Sequence, residues 1–369
     1  MTLLMRASTA SADLFHALPL EILDPFLYAE HDGRKVAVIG VLERDRIEAL
    51  DLGVEIVDPF ALGLDTLLEQ GVDFLSAEIE CDLRACRELG LERATVPPDF
   101  PLAWADKLRG AGIELTVDGE AFDLRRRRKS AAQIAGIRRA QAAADAAMAA
   151  AASLLRELPA GLTCEHVRER MIEVCAELGA ELPETVIVAH GAQSASGHEE
   201  GHGPIERGGI VLIDIWPRDK ASRCYADMTR TFVAGGAAAP AELTEYWELT
   251  RASLAAVMPL IKPGAVCREV FGASCEPFEA AGKPTVRTKP PDSILEEGYY
   301  HGLGHGVGLE VHERPNLGRS DETLLAGDVV TVEPGCYRPG FGGCRLEDLV
   351  LVTEDGAEVL TQFPYDLSP

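Results

Sequence analysis

Residues 300–313 read YHGLGHGVGLEVHE, with three histidines (His301, His305, His312) set among four alternating glycines (Gly302, Gly304, Gly306, Gly308). Glycines cannot fill a core, so at this spacing they permit close backbone approach or unusual φ angles, and the stretch reads as wrapping something small and polar. A phosphate cradle would open a helix, whereas residues 309–313 alternate as a strand does. The bland alternative is a bent strand with surface histidines. A metal ion becomes the better reading only if other ligands converge on these imidazoles.

Those ligands stand upstream and downstream. Asp214 lies near the end of the apolar strand IVLIDI (residues 210–215), and Asp227 precedes the strand MTRTFV (residues 228–233), with Pro217 in the turn region between them. A hairpin of two such arms brings the carboxylates together. Glu333 closes VVTVE (residues 329–333), and Glu347 opens DLVLVT (residues 348–353), which repeats the arrangement with glutamates. Singly, each acid is a solvated strand end. Together, four carboxylates repel one another unless they stay protonated or hold cations between them. Oxygen ligands with one imidazole, His305, suit manganese, cobalt or zinc, and a pair of ions roughly 3.5 to 4 Å apart would activate a water for attack.

Composition narrows the classes. The 369 residues carry 35 basic and 60 acidic side chains, a formal net charge of -25, which argues against nucleic acid and against an anionic membrane surface. Nine cysteines are scattered without a C-x-x-C pair, so a disulfide framework is not expected and a reducing, cytoplasmic setting is. No signal segment or membrane span is read. With 47% hydrophobic residues, the chain can build one large domain and a smaller one.

From residue 22 to about 123 the pattern is mixed α/β: a strand over residues 35–42, a helix over 44–52 and a strand over 54–57. The run RRRRK (residues 125–129) marks the junction, read as a feed into a helix rather than a nucleic-acid patch. That helix starts at Ser130 and carries Ile134, Ile137, Ala144, Met148, Ala151 and Leu155 on one face, interrupted by Gln141. A second helix runs from about 164 to 178, and two more cover residues 243–261 and 266–281. Helix pair, strand pair, helix pair, strand pair indicates an α+β fold and hints at an internal duplication.

Asp214, D-x-T-R-T (residues 227–231), H-G-x-G-H-x-x-G-x-x-x-H-E (residues 301–313), E-P-G (residues 333–335) and R-x-E-D (residues 345–348) resemble the pita-bread metallopeptidases, in the Xaa-Pro peptidase branch of prolidase and aminopeptidase P. The resemblance covers the chain from about residue 129 onward. It implies a pita-bread catalytic domain over residues 127–369 and a smaller, creatinase-like mixed α/β domain over residues 1–126. It further implies that Asp214, Asp227, His305, Glu333 and Glu347 bind two divalent metal ions, manganese first, with Asp227 and Glu347 bridging. Glu333 would serve as general base, and His198, His312 and Arg345 would orient the scissile carbonyl and stabilise its developing charge. His301 would line the proline pocket, and the family's habit suggests a homodimer. Two points depart from the pattern: the 214–227 loop is about two residues longer than usual, and His190 and His202 compete with His198 as the upstream histidine.

The expected reaction is hydrolysis of the Xaa-Pro bond in proline-containing dipeptides or short peptides. A dipeptidase needs a cation for the free carboxylate, and Arg46, Arg44 and Arg338 are the candidates. An aminopeptidase acting on longer peptides is the alternative. Residues 198–202, HEEGH, match the zinc-protease pattern H-E-x-x-H, which works only on a helix; Gly197, Gly201, Gly203 and Pro204 oppose one. A non-enzymatic binding protein or a metal-free, creatinase-like hydrolase on the same shell should have lost ligands, and all five are present.

Overall fold

Side chains alternate between two cores across the strands nearest the N-terminus. Leu4, Leu27 and Val38 face one cluster, whereas Leu3, Met5, Phe26, Tyr28 and Ala37 face another. The structure is a computed structural model that describes every residue, Met1–Pro369, and the chain divides into two units, Met1–Arg126 and Arg127–Pro369.

The first unit is built on a six-stranded mixed sheet. Leu3–Ala7, Phe26–His31 and Arg34–Val38 form an antiparallel centre, with Val54–Val57 added in parallel at one edge and Arg93–Val96 and Glu114–Val117 at the other. The helix Phe74–Glu88 begins at Asp73, whose carboxylate accepts from the Ser76 N–H at 3.0 Å. The strand expected over residues 35–42 ends at Val38. The chain then turns through a 3-10 segment, Val41–Glu43, because the Asp58 carboxylate takes the Val41 N–H at 3.0 Å.

In the second unit, Ser130 and Gln133 form a reciprocal capping box that starts the 27-residue helix Ala131–Glu157. Its buried alanines (Ala140, Ala143, Ala144, Ala147, Ala151) let it pack closely on the helix Cys164–Glu177. Gln141, which interrupts the apolar stripe, is itself buried and donates to Asp145 at 3.1 Å.

Three antiparallel strands follow: Ile187–His190, Ile210–Ile215 and Met228–Val233, with Asp214 opposite Thr229. The helices Ala241–Val257 and Cys267–Ala280 precede the second hairpin, Val329–Val332 with Asp348–Val352, in which Val332 stands opposite Asp348. Helix pair and strand pair thus occur twice. Between the arms of the second hairpin lies a ribbon that the sequence did not announce, Gly335–Arg338 paired with Gly342–Arg345. The two halves are joined where the Glu347 N–H donates to Thr229 O at 3.1 Å and the Arg345 N–H donates to the Thr231 hydroxyl at 3.1 Å.

Residues 309–313 do not form the expected strand. Glu313 accepts the Leu309 N–H at 3.0 Å and the Glu310 N–H at 3.3 Å, so donors that a ladder would use are already spent, and the strand begins only at Glu313–Asn316. The alternating glycines allow the close backbone approach expected of them. A Cβ on Gly304 would lie 2.1 Å from Thr331 O, and one on Gly306 would lie 2.2 Å from Arg314 O. What these two positions admit is neighbouring backbone.

Candidate metal centre

Strand geometry delivers the acids. Asp227 sits two residues before Thr229, which pairs with Asp214, so both carboxylates leave the same face of the first hairpin. Glu333 and Glu347 follow and precede the pair Val332–Asp348 and leave the second hairpin together. The Glu333 N–H donates to Leu303 O at 2.8 Å, which fastens the histidine stretch alongside.

Asp227, His305 and Glu347 meet most closely, with one donor atom from each lying within 4.8 Å of the others. His305 Nε2 stands 3.7 Å from Asp227 Oδ2 and 3.6 Å from Glu333 Oε1. These separations are too long for hydrogen bonds and suit donors that share an ion. His305 Nδ1 lies 3.1 Å from Gly306 O; the carbonyl can only accept, so Nδ1 carries the hydrogen and Nε2 turns a lone pair toward the acids. Burial, with His312 nearby, pushes the imidazole down to about 4, which keeps it neutral.

Asp214 is turned toward Arg345, whose Nη2 donates to Oδ2, while its other oxygen, Oδ1, is buried without a hydrogen-bond partner. Burial pushes Glu333 up to about 8, with Asp214 adding to the shift and Arg345 opposing it. Asp227 and Glu347 are raised well above the carboxylate range by burial first and by the other acids second. Four carboxylates therefore face one guanidinium in a desolvated place. An orphaned carboxylate oxygen, a presented imidazole lone pair and excess negative charge are what divalent cations would satisfy, so the residues present fit such ions.

Partners that the sequence reading passed over hold this set in place. The Thr229 hydroxyl donates to Glu347 Oε2 at 2.7 Å and accepts from Arg345 Nε at 3.1 Å. The Thr331 hydroxyl accepts the His305 N–H at 3.1 Å. Their signal was present: each threonine lies two residues from an acid of the cluster on the same strand face. Tyr337 had none. Its hydroxyl accepts from Arg345 Nη1 at 3.2 Å and lies 2.9 Å from His301 Nε2. His301 Nδ1 lies 2.7 Å from Gly302 O, so Nδ1 donates, Nε2 accepts from Tyr337, and burial with Arg345 pushes the ring down to about 3.

A cavity of about 1020 Å³ surrounds the centre and is lined by all five expected ligands together with His198, His301, His312 and Arg345. Trp216 and Tyr300 add aromatic wall. His312 stacks edge-on against His305, with ring centroids 4.3 Å apart. Of the three upstream histidines only His198 lines the cavity; His202 lies against the Gln193 amide and His190 sits on a strand.

Residues 198–202 are not helical. Gly201 has φ +79°, and a Cβ there would lie 1.9 Å from Val188 O, so the zinc-protease pattern presents no shared histidine face. Arg338 does not line the cavity; its Nε and Nη2 grip Glu242 at 2.6 and 2.7 Å. Arg46 lies in the first unit, donating to Glu43 at 2.5 Å and to Glu21 O at 2.9 Å. Arg44, beside it, is exposed.

A family model, Metallopeptidase family M24, matches residues 135–354. The Xaa-Pro dipeptidase of Pyrococcus furiosus is 34% identical over 243 residues, 65% of this chain and 64% of its own length. That of Pyrococcus horikoshii is 35% identical over 251 residues, again 65% and 64%. The chain thus matches a little under two thirds of these relatives' length. Among solved structures, an Xaa-Pro dipeptidase from Bacillus anthracis superposes with a TM-score of 0.81 at 25% identity, covering 99% of this chain and 94% of that one. The X-Pro aminopeptidase of Thermotoga maritima superposes at 0.77 with 21% identity, covering 99% and 96%, a likeness of fold.

Proposed function

Because the chain belongs to metallopeptidase family M24, with its pita-bread fold, we propose that it is a dinuclear metal-dependent Xaa-Pro dipeptidase that splits the bond between an N-terminal residue and proline. The observation that carries the reading is the meeting of Asp214, Asp227, His305, Glu333 and Glu347 in one cavity, with a buried Asp214 oxygen left without a hydrogen-bond partner. Those five residues would hold the ions, manganese being the first choice for oxygen-rich ligands. When bound, the ions supply Lewis acidity and lower the pKa of water toward neutrality.

The chain's own residues do the rest. Glu333, at the edge of the cluster, accepts the nucleophile's proton. His312 and His198 line the same cavity and donate toward the oxygen of the scissile carbonyl. Arg345 is committed to Thr229, Tyr337 and Asp214, so it acts chiefly by holding those groups and by its charge. His301, kept neutral and oriented by Tyr337, forms with the edge-on Tyr300 an uncharged aromatic wall suited to a proline ring.

A second reading, an aminopeptidase for longer Xaa-Pro-led peptides, is favoured by one observation. The cavity shares Ser196, Gly197 and Tyr300 with an adjoining groove of about 600 Å³, room for chain beyond the proline. Homodimer formation and a cytoplasmic setting complete the proposal, the latter supported by nine cysteines that are all free and buried. Assaying Ala-Pro beside a longer peptide with manganese, then repeating after chelation, tests it. Turnover of Ala-Pro in metal-free protein would end the mechanism, and preference for the longer peptide would move the assignment to the second reading.

A further inference from the structure

The turn between His305–Gly306 and Glu313–Asn316 carries His312, and no hydrogen bond holds the His312 ring itself. Its direction is set by the turn. Glu313 sets the turn: Oε1 accepts the Leu309 and Glu310 N–H groups at 3.0 and 3.3 Å, and Oε2 accepts from Lys129 Nζ at 3.0 Å. The two charged side chains are only 3% and 2% exposed. A Cβ on Gly308 would lie 2.3 Å from Glu313 Oε2, so this glycine leaves room for the carboxylate. On its outer side the turn is pinned by the Tyr225 N–H, which donates to Gly308 O at 2.8 Å two residues before Asp227.

We propose that the Lys129–Glu313 pair is a positioning device for His312, an inference that rests on the peptidase reading given above. A buried ion pair gains little net stability over an apolar pair of similar volume, because desolvation offsets the attraction; its better-attested use is to fix one arrangement. Here the arrangement fixed is a turn whose one cavity-facing imidazole stands against a metal-ligating histidine. Lys129 also closes the basic run 125–129, which therefore contributes to the site from 184 positions away. Glu313 borders the cavity, but its carboxylate is engaged by the turn and by Lys129, so both residues act through the placement of one ring.

The test is a double-mutant cycle on the full chain with manganese. Glu313→Gln, Lys129→Met and Lys129→Arg are made in the natural background and in His312→Ala, reading kcat and KM on Ala-Pro and metal content by elemental analysis. In the natural background, Lys129→Met and Glu313→Gln should lower kcat by about 10- to 100-fold, the scale of an ångström of misplacement, with metal content and KM little changed. In His312→Ala they should cost less than about 2-fold more, because the ring through which they act is gone. Lys129→Arg should recover most of the loss. Equal losses in both backgrounds, or loss of metal, would overturn the inference in favour of a merely structural pair. If the natural enzyme turns over no Xaa-Pro substrate, the peptidase reading falls, and crystal structures of the natural chain and of Glu313→Gln decide the rest. A His312 ring that keeps its 4.3 Å spacing from His305 in the variant overturns the inference, and a displaced ring upholds it.

Discussion

Glu347 and Asp348 are neighbours in the chain, 2% and 1% exposed, and point to opposite faces of one strand. Asp348 Oδ1 accepts from Arg230 Nη2 at 2.9 Å, and its other oxygen accepts the Tyr365 hydroxyl. Glu347 has a hydroxyl, Thr229 at 2.7 Å, and beyond it three more carboxylates. The strand Met228–Val233 shows the same division, since Thr229 faces the cluster and Arg230 faces away. Equal burial thus comes with different company: one acid is ion-paired with a matched guanidinium, while burial first and the neighbouring acids second push the other toward its protonated form. Depth does not mark a cation site. A local surplus of negative charge does.

The sharpest way to break this comparison is to remove the surplus. Chelation should abolish hydrolysis of Ala-Pro and added manganese should restore it, while Asp227→Asn and Glu347→Gln should each lose at least about 100-fold in kcat/KM, more than an outer partner usually costs. Activity surviving in either variant would mean that the cluster is not the reaction centre. On the opposite face, Arg230→Met strands Asp348 without its cation and should destabilise by about 3 to 5 kcal/mol, read as a lowered Tm with unchanged metal content. If Arg230→Met instead released metal at an unaltered Tm, the two faces would not be separate in function.

A third test turns on pH. Glu333, ordinarily near 4.5, is raised to about 8 in the fold, so between those values the folded chain binds more protons than the unfolded one. That stability is fully present below about 4.5 and is lost as pH rises through 8. A cation displaces the protons, so the rise in Tm on adding manganese should grow from pH 5 to pH 9. A constant increment would indicate that the acids are already ionised without the ion. Smaller again, Thr229→Ala should weaken metal binding by about 10-fold, measured by competition with a chromophoric chelator.

How much of this was readable beforehand follows from which partners are local. The clustered acids were legible because strand periodicity and strand ends place them: Asp214 and Glu333 near the close of apolar runs, Asp227 and Glu347 at the opening of others. Thr229 and Thr331 follow the same period and were overlooked. The glycines at 304, 306 and 308 were legible as close-approach positions but not as to what approaches, since Thr331, Arg314 and Glu313 reach them only through tertiary pairing. The basic run 125–129 was legible as a domain junction feeding a helix, but not in its partners: Arg127 is buried on Asp328, 201 positions away, and composition cannot show such a partner. The strand expected over residues 309–313 failed because periodicity carries no sign that Glu313 will cap the backbone of Leu309 and Glu310.

The smallest expected effect concerns the carboxylate clamp. Arg338 was a candidate because it lies five residues after Glu333, yet its Nε and Nη2 groups are held by Glu242 of the helix Ala241–Val257. Such a pair is solvent-screened and exchanges one hydrated partner for another, so its loss changes little. Arg338→Ala should leave kcat/KM for Ala-Pro and the Tm unchanged within error. A raised KM confined to dipeptides, with longer peptides unaffected, would show that Arg338 leaves Glu242 for the substrate carboxylate, and the division between a charge-matched surface pair and an unmatched centre would then have to admit a side chain that serves both.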